Sequence, residues 1–289
     1  MKTLFVIVGP TGVGKTSLCL KVAEHLNTVI INADSRQVFK EIPVGKSIRH
    51  FFVGNLHINE YYNASKYEQD VLKLLNILFK YKDNVIMSGG SMMYVDAVCK
   101  GIDDIPSVDD NIRKTLQERF DKEGLSGISK ELALLDPDYH AIVDKNNHKR
   151  IIHALEICLS TGKPYSSFRK NTTKERPFRI IKIGLNMDRQ RLYERIDLRV
   201  EQMIHDGLIQ EALNVYEYKN LNALNTVGYK ETFEYLDGLC TLDNAIFRIK
   251  SNTHKYCRKQ LTWFRRDPNI HWFSPDNIEE IINYINTFI

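Results

Sequence analysis

The chain has 289 residues, 43% of them hydrophobic and 26% charged, and a net charge of +4 from 40 basic and 36 acidic side chains. This composition excludes a disordered, collagen-like or membrane-bundle protein, and the length is enough to bury a large core without disulfides or structural metals. Cys19, Cys99, Cys158, Cys240 and Cys257 form no Cys-x-x-Cys pair, so each reads as a small packing residue in a reducing compartment. The first apolar run, residues 4–8, is too short for a signal-peptide core or a membrane span, and a cytoplasmic protein without membrane contact is expected.

In chain order, residues 4–8 read as a buried strand, then a glycine-rich turn, then a helix with Leu18, Val22, Ala23 and Leu26 on one face. A second strand over 28–32 completes a βαβ unit, which implies a parallel sheet with helices on its faces. The periodicity predicts a long helix over 64–81, with Tyr67, Val71, Leu74, Leu75 and Leu78 inward, and a third strand over 84–87 closed by Ser88-Gly89-Gly90. From Gly101 the character changes. Residues 110–145 read as short, charged helical stretches broken by Gly124, Gly127 and Pro137. A strand resumes over 178–185, and helices follow at 189–205, 208–218, 230–236 and 242–264. Because the turn between the first strand and its helix reads GPTGVGKT at 9–16, the expected fold is α/β, a P-loop NTPase-like parallel sheet flanked by helices. Residues 1–102 and 146–289 form its core, and 103–145 form a small helical insertion.

The charge is uneven. Residues 1–148 hold 18 basic against 19 acidic side chains, whereas 149–271 hold 22 against 14. A nucleic-acid backbone would bind such a surface through counterion release; solvated lysine-rich helix faces account for the charge equally well. The nine histidines read as structural or solvated rather than as a metal site.

Gly9-Pro10-Thr11-Gly12-Val13-Gly14-Lys15-Thr16 matches G-x-x-x-x-G-K-[ST] between the strand and the helix that this motif requires. Its amides and Lys15 suit a diphosphate or triphosphate, and the Thr16 hydroxyl suits magnesium. The apolar strand at 85–87 ends without a carboxylate. The acidic group nearest the P-loop at a strand end is instead Asp34, in Asn32-Ala33-Asp34-Ser35-Arg36-Gln37. Ligands of parallel sheets sit beyond the strands' carboxyl ends, so Asp34 and the P-loop should face one crevice. There the carboxylate could bind magnesium, act as a general base or cap a helix.

Several stretches together resemble the tRNA dimethylallyltransferases, also called tRNA isopentenyltransferases: GPTGVGKT at 9–16, NADSRQVFKEIPVGKS at 32–47, SGGSMMYVDAV at 88–98 and KRIIHALEICLSTGKPYS at 149–166. The likeness continues through DRQRLYERIDLRVEQMIHDGL at 188–208, NTVGYKE at 225–231 and THKYCRKQLTWFRR at 253–266. The resemblance implies transfer of a dimethylallyl group from its diphosphate to the exocyclic amine of an adenosine beside the anticodon, with magnesium as cofactor. Residues 9–16 would then hold the diphosphate and Thr16 the metal, Arg199 would join Lys15 against the diphosphate, and Asp34 would be the base. The tRNA contacts implied are Asp34, Ser35, Arg36 and Gln37, Ser91, Arg113, then Lys149, Arg150, Ile151, Ile152 and His153, and finally Asn225, Thr226, Val227, Gly228, Tyr229 and Lys230. The insertion would grip the anticodon stem-loop, and the chain is expected to act as a monomer.

This sequence departs from the family pattern at Lys149 and His153, at Ser91 after Gly89-Gly90, at Lys46 after Gly45 and at His254. In the aromatic-basic run 256–266, Arg258, Lys259, Arg265 and Arg266 read as phosphate contacts with Trp263 inward, or as a solvated helix face. A small-molecule P-loop kinase or an adenylate isopentenyltransferase would use the same cradle; the basic stretch favours a macromolecular acceptor.

Overall fold

Six buried residues, Thr3–Val8, form strand β1 at the centre of the sheet in a computed structural model that describes residues 1–41, 50–106, 108–170 and 172–289. Around β1 lie β2 (Ile30–Asn32), β3 (His50–Phe51), β4 (Asn84–Gly89), β5 (Arg179–Leu185) and β6 (Ile270–Phe273), in the order β3-β2-β4-β1-β5-β6. Every pairing is parallel, with Val8 beside Gly89 and Gly184. A parallel sheet must be covered on both faces, and alternation along β1 provides for this. Leu4, Val6 and Val8 pack under α2 (Ala64–Leu78) and α3 (Met92–Lys100) with Tyr67, Val71, Leu75 and Val95. Phe5 and Ile7 pack the other way, against α1 (Lys15–His25), α7 (Arg189–His205) and α11 (Ile278–Asn286). The shorter helices α8 (Leu208–Asn214) and α9 (Tyr229–Leu236) and the long α10 (Leu242–Phe264) complete this unit, which spans 1–99 and 176–289.

Residues 100–175 form a second compact unit. It contains α4 (Asp110–Leu135), α5 (Pro137–Ile142) and α6 (His148–Thr161). The helical insertion is therefore longer than the expected 103–145. Its core explains the difference: Ile151, Leu155 and Cys158 of α6 pack on Leu116, Ile128 and Leu132 of α4. The fully buried Asp136 also accepts bonds from the Ser166 N–H and Oγ at 2.7 Å each, tying the chain beyond α6 to the α4–α5 junction. Within α4 only Gly124 leaves helical geometry, at φ 69°; Gly127 continues the helix, and Pro137 starts α5, where its missing N–H costs nothing.

Elements that the sequence did not suggest are β3, α3, α6, β6 and α11. The helix predicted over 208–218 stops at Asn214, before a 3₁₀ turn at Tyr216–Tyr218. Residues 42–47 of the 32–47 motif, Gly45 and Lys46 among them, lie outside the described residues. Among the described residues, no helix is long and apolar enough to cross a membrane.

Candidate active site

The loop from β1 to α1 turns through positive φ at Gly9, Gly12 and Gly14 (151°, 81° and 103°), which brings its amides inward and starts α1 with no side-chain cap. An uncapped helix start presents unpaired N–H groups and a positive dipole end, the elements of an anion site. The Lys15 Nζ folds under the loop and donates to the carbonyls of Gly9 at 2.9 Å and Pro10 at 2.8 Å. Burial lowers the Lys15 pKa to about 8, opposed by the nearby Asp34 carboxylate and reinforced by Arg199. The ammonium is thus held in reserve for an anion. Gly9 and Pro10 are buried, and Val13 packs into the core below. These three residues shape the cradle rather than line it.

Two cavities adjoin here, of about 350 and 380 Å³, and share Thr11, Asp34, Gln37, Arg199 and Tyr256 as walls. The first is lined by Gly12, Gly14, Lys15 and Thr16, with Arg195 and Arg199 from α7 and Gln260 from α10. Asp34 lies two residues past β2, at the mouth of the P-loop, with its Oδ1 accepting from the Arg36 N–H at 2.9 Å. That bond orients the carboxylate, which lines both cavities. Arg199 could have been spent on Asp197 or Glu201. Instead Asp197 lies 2.8 Å from His254, and Glu201 accepts from Lys250 at 2.6 Å. Arg199 pairs with no carboxylate among the described residues.

The second cavity is walled by Ser35, Arg36, Ser91 and residues 225–229, and on its apolar side by Ile196, Val200, Met203 and Ile249. Arg36 organises it. Its Nη1 donates to the carbonyls of Asn222 at 2.8 Å and Ala223 at 3.0 Å, which pins the 222–225 loop beside Asp34. Burial lowers the Arg36 pKa. Ser91 links the neighbouring turn: its Oγ accepts from the Ser35 N–H at 2.8 Å. In the loop, Asn225 and Val227 are exposed, whereas Gly228 and Tyr229 are buried; the Tyr229 hydroxyl bonds Glu211 and its ring belongs to a hydrophobic cluster. Lys230 is exposed and lines neither cavity.

The remaining predicted tRNA contacts belong to the 100–175 unit. Arg113 lies 3.4 Å from Glu156, and Lys149, Arg150 and His153 are exposed on α6. Ile151 and Ile152 cannot be surface contacts. They are buried against α4 because the helical period turns two of these five consecutive residues inward. Three residues missed in the sequence belong to the site. Arg195 donates from Nε to the Gly12 carbonyl at 3.0 Å and stands one helical turn before Arg199, a spacing that the sequence carried. Tyr256 and Gln260 sit inside the aromatic-basic run, where the charges masked them.

Among the described residues, no group of three or more His, Cys, Asp or Glu could hold a metal. Among the side-chain oxygens that line the first cavity are the Thr16 hydroxyl, exposed at the start of α1, and the Asp34 carboxylate, its one acidic group. Such a set fits a hard cation that takes most of its ligands from substrate oxygens and water, as magnesium does.

A parallel sheet, a P-loop at the carboxyl end of its central strand and helices on both faces define a P-loop-type α/β protein. The chain belongs to the IPP transferase family, whose model matches residues 40–267. It is 55% identical over 294 residues to tRNA dimethylallyltransferase 1 of Phocaeicola vulgatus, covering 99% of this chain and 98% of that protein. Identity to the protein of the same name in Bacteroides fragilis is 53%, over 100% and 99% of the two chains. The crystal structure of the tRNA isopentenylpyrophosphate transferase of Bacillus halodurans matches with a TM-score of 0.71 and 31% identity, over 99% and 96%. A eukaryotic dimethylallyltransferase acting on tRNA matches at 0.75 and 25%, over 95% of this chain and 74% of that one.

Proposed function

We propose that this chain is a tRNA dimethylallyltransferase, moving a dimethylallyl group from dimethylallyl diphosphate to the exocyclic amine of the adenosine next to the anticodon and releasing diphosphate. The observation that carries this reading is the shared wall: Asp34 faces the same cavity as Lys15, Thr16 and Arg199. An anion cradle and a carboxylate oriented by the Arg36 N–H are what a substitution at an allylic carbon with a diphosphate leaving group requires. As the carbon–oxygen bond breaks, its electron pair passes to the bridging oxygen of the diphosphate. Lys15, Arg199 and the loop amides stabilise the charge that grows there. The exocyclic amine is a weak nucleophile because its lone pair is delocalised into the ring. Asp34 orients it and takes its proton as the carbon–nitrogen bond forms. A magnesium ion held by Thr16 would supply further neutralisation of the diphosphate oxygens.

The acceptor base must leave its stack to reach Asp34. The second cavity, with the apolar side chains of Ile196, Val200 and Met203 opposite Ser35 and the 225–229 loop, offers space for a flipped base and the five-carbon group. The tRNA backbone is assigned to two basic surfaces. One is Lys149 and Arg150 on α6, in the unit proposed to hold the anticodon stem-loop. The other is the exposed stripe of Lys255 and Lys259 on α10 with Arg266 just past its end. Five free cysteines suit a cytoplasmic protein, and a monomer suffices because both cavities are built from one chain. The test supplies labelled dimethylallyl diphosphate with tRNA or with free AMP. Label is expected on the tRNA adenosine; label on AMP alone would overturn the reading.

A further inference from the structure

The signature run on α10 contains one residue that the proposed chemistry does not use. Gln260 is 1% exposed, and both ends of its carboxamide are engaged. Its Oε1 accepts from the Thr11 N–H of the P-loop at 2.9 Å, and its Nε2 donates to the Gly90 carbonyl at 2.9 Å. No other side chain of this length offers one acceptor and one donor so placed without first taking up a proton. The helix that delivers it is anchored on both sides: Cys257 is buried in the layer beneath one sheet face and Phe264 in the layer beneath the other. The contact is also close. A Cβ at residue 90 would lie 2.3 Å from Gln260 Nε2, and one at residue 89 would lie 2.2 Å from the Ala33 carbonyl oxygen. The Gly89-Gly90 pair thus lets three strand-end segments meet.

We infer that Gln260 is the positioning residue that sets the P-loop against the Asp34 loop. The connection can be followed bond by bond. The Thr11 amide is held by Gln260, Gln260 holds Gly90, and the Ser91 Oγ next in the chain accepts from the Ser35 N–H at 2.8 Å and donates to the Ser35 Oγ at 3.1 Å. Asp34 directly precedes Ser35. The Ser91 N–H also bonds the Ala33 carbonyl at 3.1 Å. The anion cradle and the carboxylate therefore share a rigid spacer whose central link is one buried amide. A displacement of the loop by a fraction of an ångström would pull its amides off an anion and alter the gap across which the proton moves. Gln260 touches neither reacting atom; it acts through Thr11 and Gly90.

The inference rests on the reading of residues 9–16 as a diphosphate cradle, and inorganic diphosphate can test it without tRNA or prenyl donor. In the full-length chain, Gln260→Met keeps the volume and removes both bonds. By calorimetry it should bind inorganic diphosphate at least about tenfold more weakly, since a buried donor and a buried acceptor lose their partners. In the transfer assay kcat should fall while the KM for tRNA stays within about twofold, because the displaced groups hold the diphosphate and set its gap to the base rather than grip the tRNA backbone. Gln260→Glu gives a readout that a merely structural role would not move, and it carries the test if the Met variant does not fold. An ionised carboxylate only accepts, so it faces the Gly90 carbonyl with a second acceptor; protonated, it donates there and still accepts from Thr11. Its diphosphate affinity relative to wild type at the same pH should therefore recover on acidification. A folded Gln260→Met protein that binds diphosphate within about twofold of wild type, or a Glu variant whose ratio to wild type is flat with pH, would overturn the inference and leave the prenyl-transfer reading standing. A wild-type chain that binds no diphosphate would overturn both.

Discussion

The sheet unit and the 100–175 unit treat a run of consecutive candidate residues in opposite ways. Residues 9–14 and 34–37 lie on loops at the strand ends, and with Lys15 and Thr16 at the start of α1 they bring Gly12, Gly14, both of these side chains and Asp34 to one cavity. Residues 149–153 lie on a helix, where Lys149, Arg150 and His153 are exposed and Ile151 and Ile152 are buried. A loop can turn most of its neighbours toward a ligand because its main chain takes part. A helix can spend only the residues on its outward face, since its amides are already bonded and its other side must hold a core. A contiguous motif therefore means a site that most of its members line on the loop, with Gly9, Pro10 and Val13 set behind the cavity, and a divided role on the helix.

The largest effect should come from the loop side. Asp34→Asn keeps the shape and the acceptor for the Arg36 N–H but removes the base. It should slow transfer by roughly 10²–10⁴-fold while tRNA binding holds, as single-turnover kinetics and filter binding would measure. Turnover at the wild-type rate would remove Asp34 from the chemistry. On the helix side, Ile151→Ala should cost about 2–5 kcal/mol of stability in urea melts, the range for a buried large-to-small change. Lys149→Ala should leave the melt unmoved. A variant at Ile151 that loses tRNA affinity with its stability intact would reverse the contrast.

The same distinction explains what could be read from the sequence. The P-loop, the strand-end position of Asp34, the helices Arg189–His205 and Leu242–Phe264, and the parallel sheet were legible because glycine spacing and apolar periodicity are local signals. The end of the insertion at 175 was not. It depends on α6 packing on α4 and on Asp136 reaching Ser166 across thirty positions, and neither is written in a local pattern. The short strand β6 and the role of Gln260 escaped for a related reason. Both are defined by partners distant in the sequence: β5 in one case, Thr11 and Gly90 in the other. Arg36 stands among the tRNA contacts that the resemblance implies, and its guanidinium holds the carbonyls of Asn222 and Ala223, partners that no local pattern announces.

The pH dependence of anion binding sharpens the loop half. Burial lowers the Lys15 pKa from 10.5 to about 8, so between those values the unfolded chain binds more protons than the folded one. Stability from this group therefore rises with pH across that window. A diphosphate favours the charged ammonium, so its binding takes up a proton over the same range. Its affinity should be level below pH 8 and fall by up to about tenfold per pH unit above it. Calorimetry of the wild type against Lys15→Arg, which keeps its charge, separates this fall from titration of the ligand. Parallel curves for the two proteins would contradict the assignment.

The smallest effect tests the helix half where its surface is most basic. Lys255 and Lys259 on the outer face of α10, and Arg266 just past its end, make no ion pair among the described residues, while the inner face carries Cys257, Gln260 and Phe264. Arg258 is tied to the Tyr193 hydroxyl at 2.8 Å, and Arg266 stacks over Trp263 with 5.2 Å to the ring centre. The two lysines are the cations that a phosphate could recruit at least cost. If tRNA lies along this face, Lys255→Ala with Lys259→Ala should reduce the slope of log affinity against log salt by about 0.7–0.9 for each phosphate that the variant no longer neutralises. Affinity would weaken severalfold at low salt, by about the same factor for every tRNA, because a phosphate carries no sequence information. The same pair of changes at Lys149 and Arg150 should act additively with it if both helices touch backbone, since residues that share no partner couple weakly. An unchanged slope in the α10 variant, with the α6 variant losing its share, would confine the tRNA to the 100–175 unit and leave the α10 stripe as a solvated face.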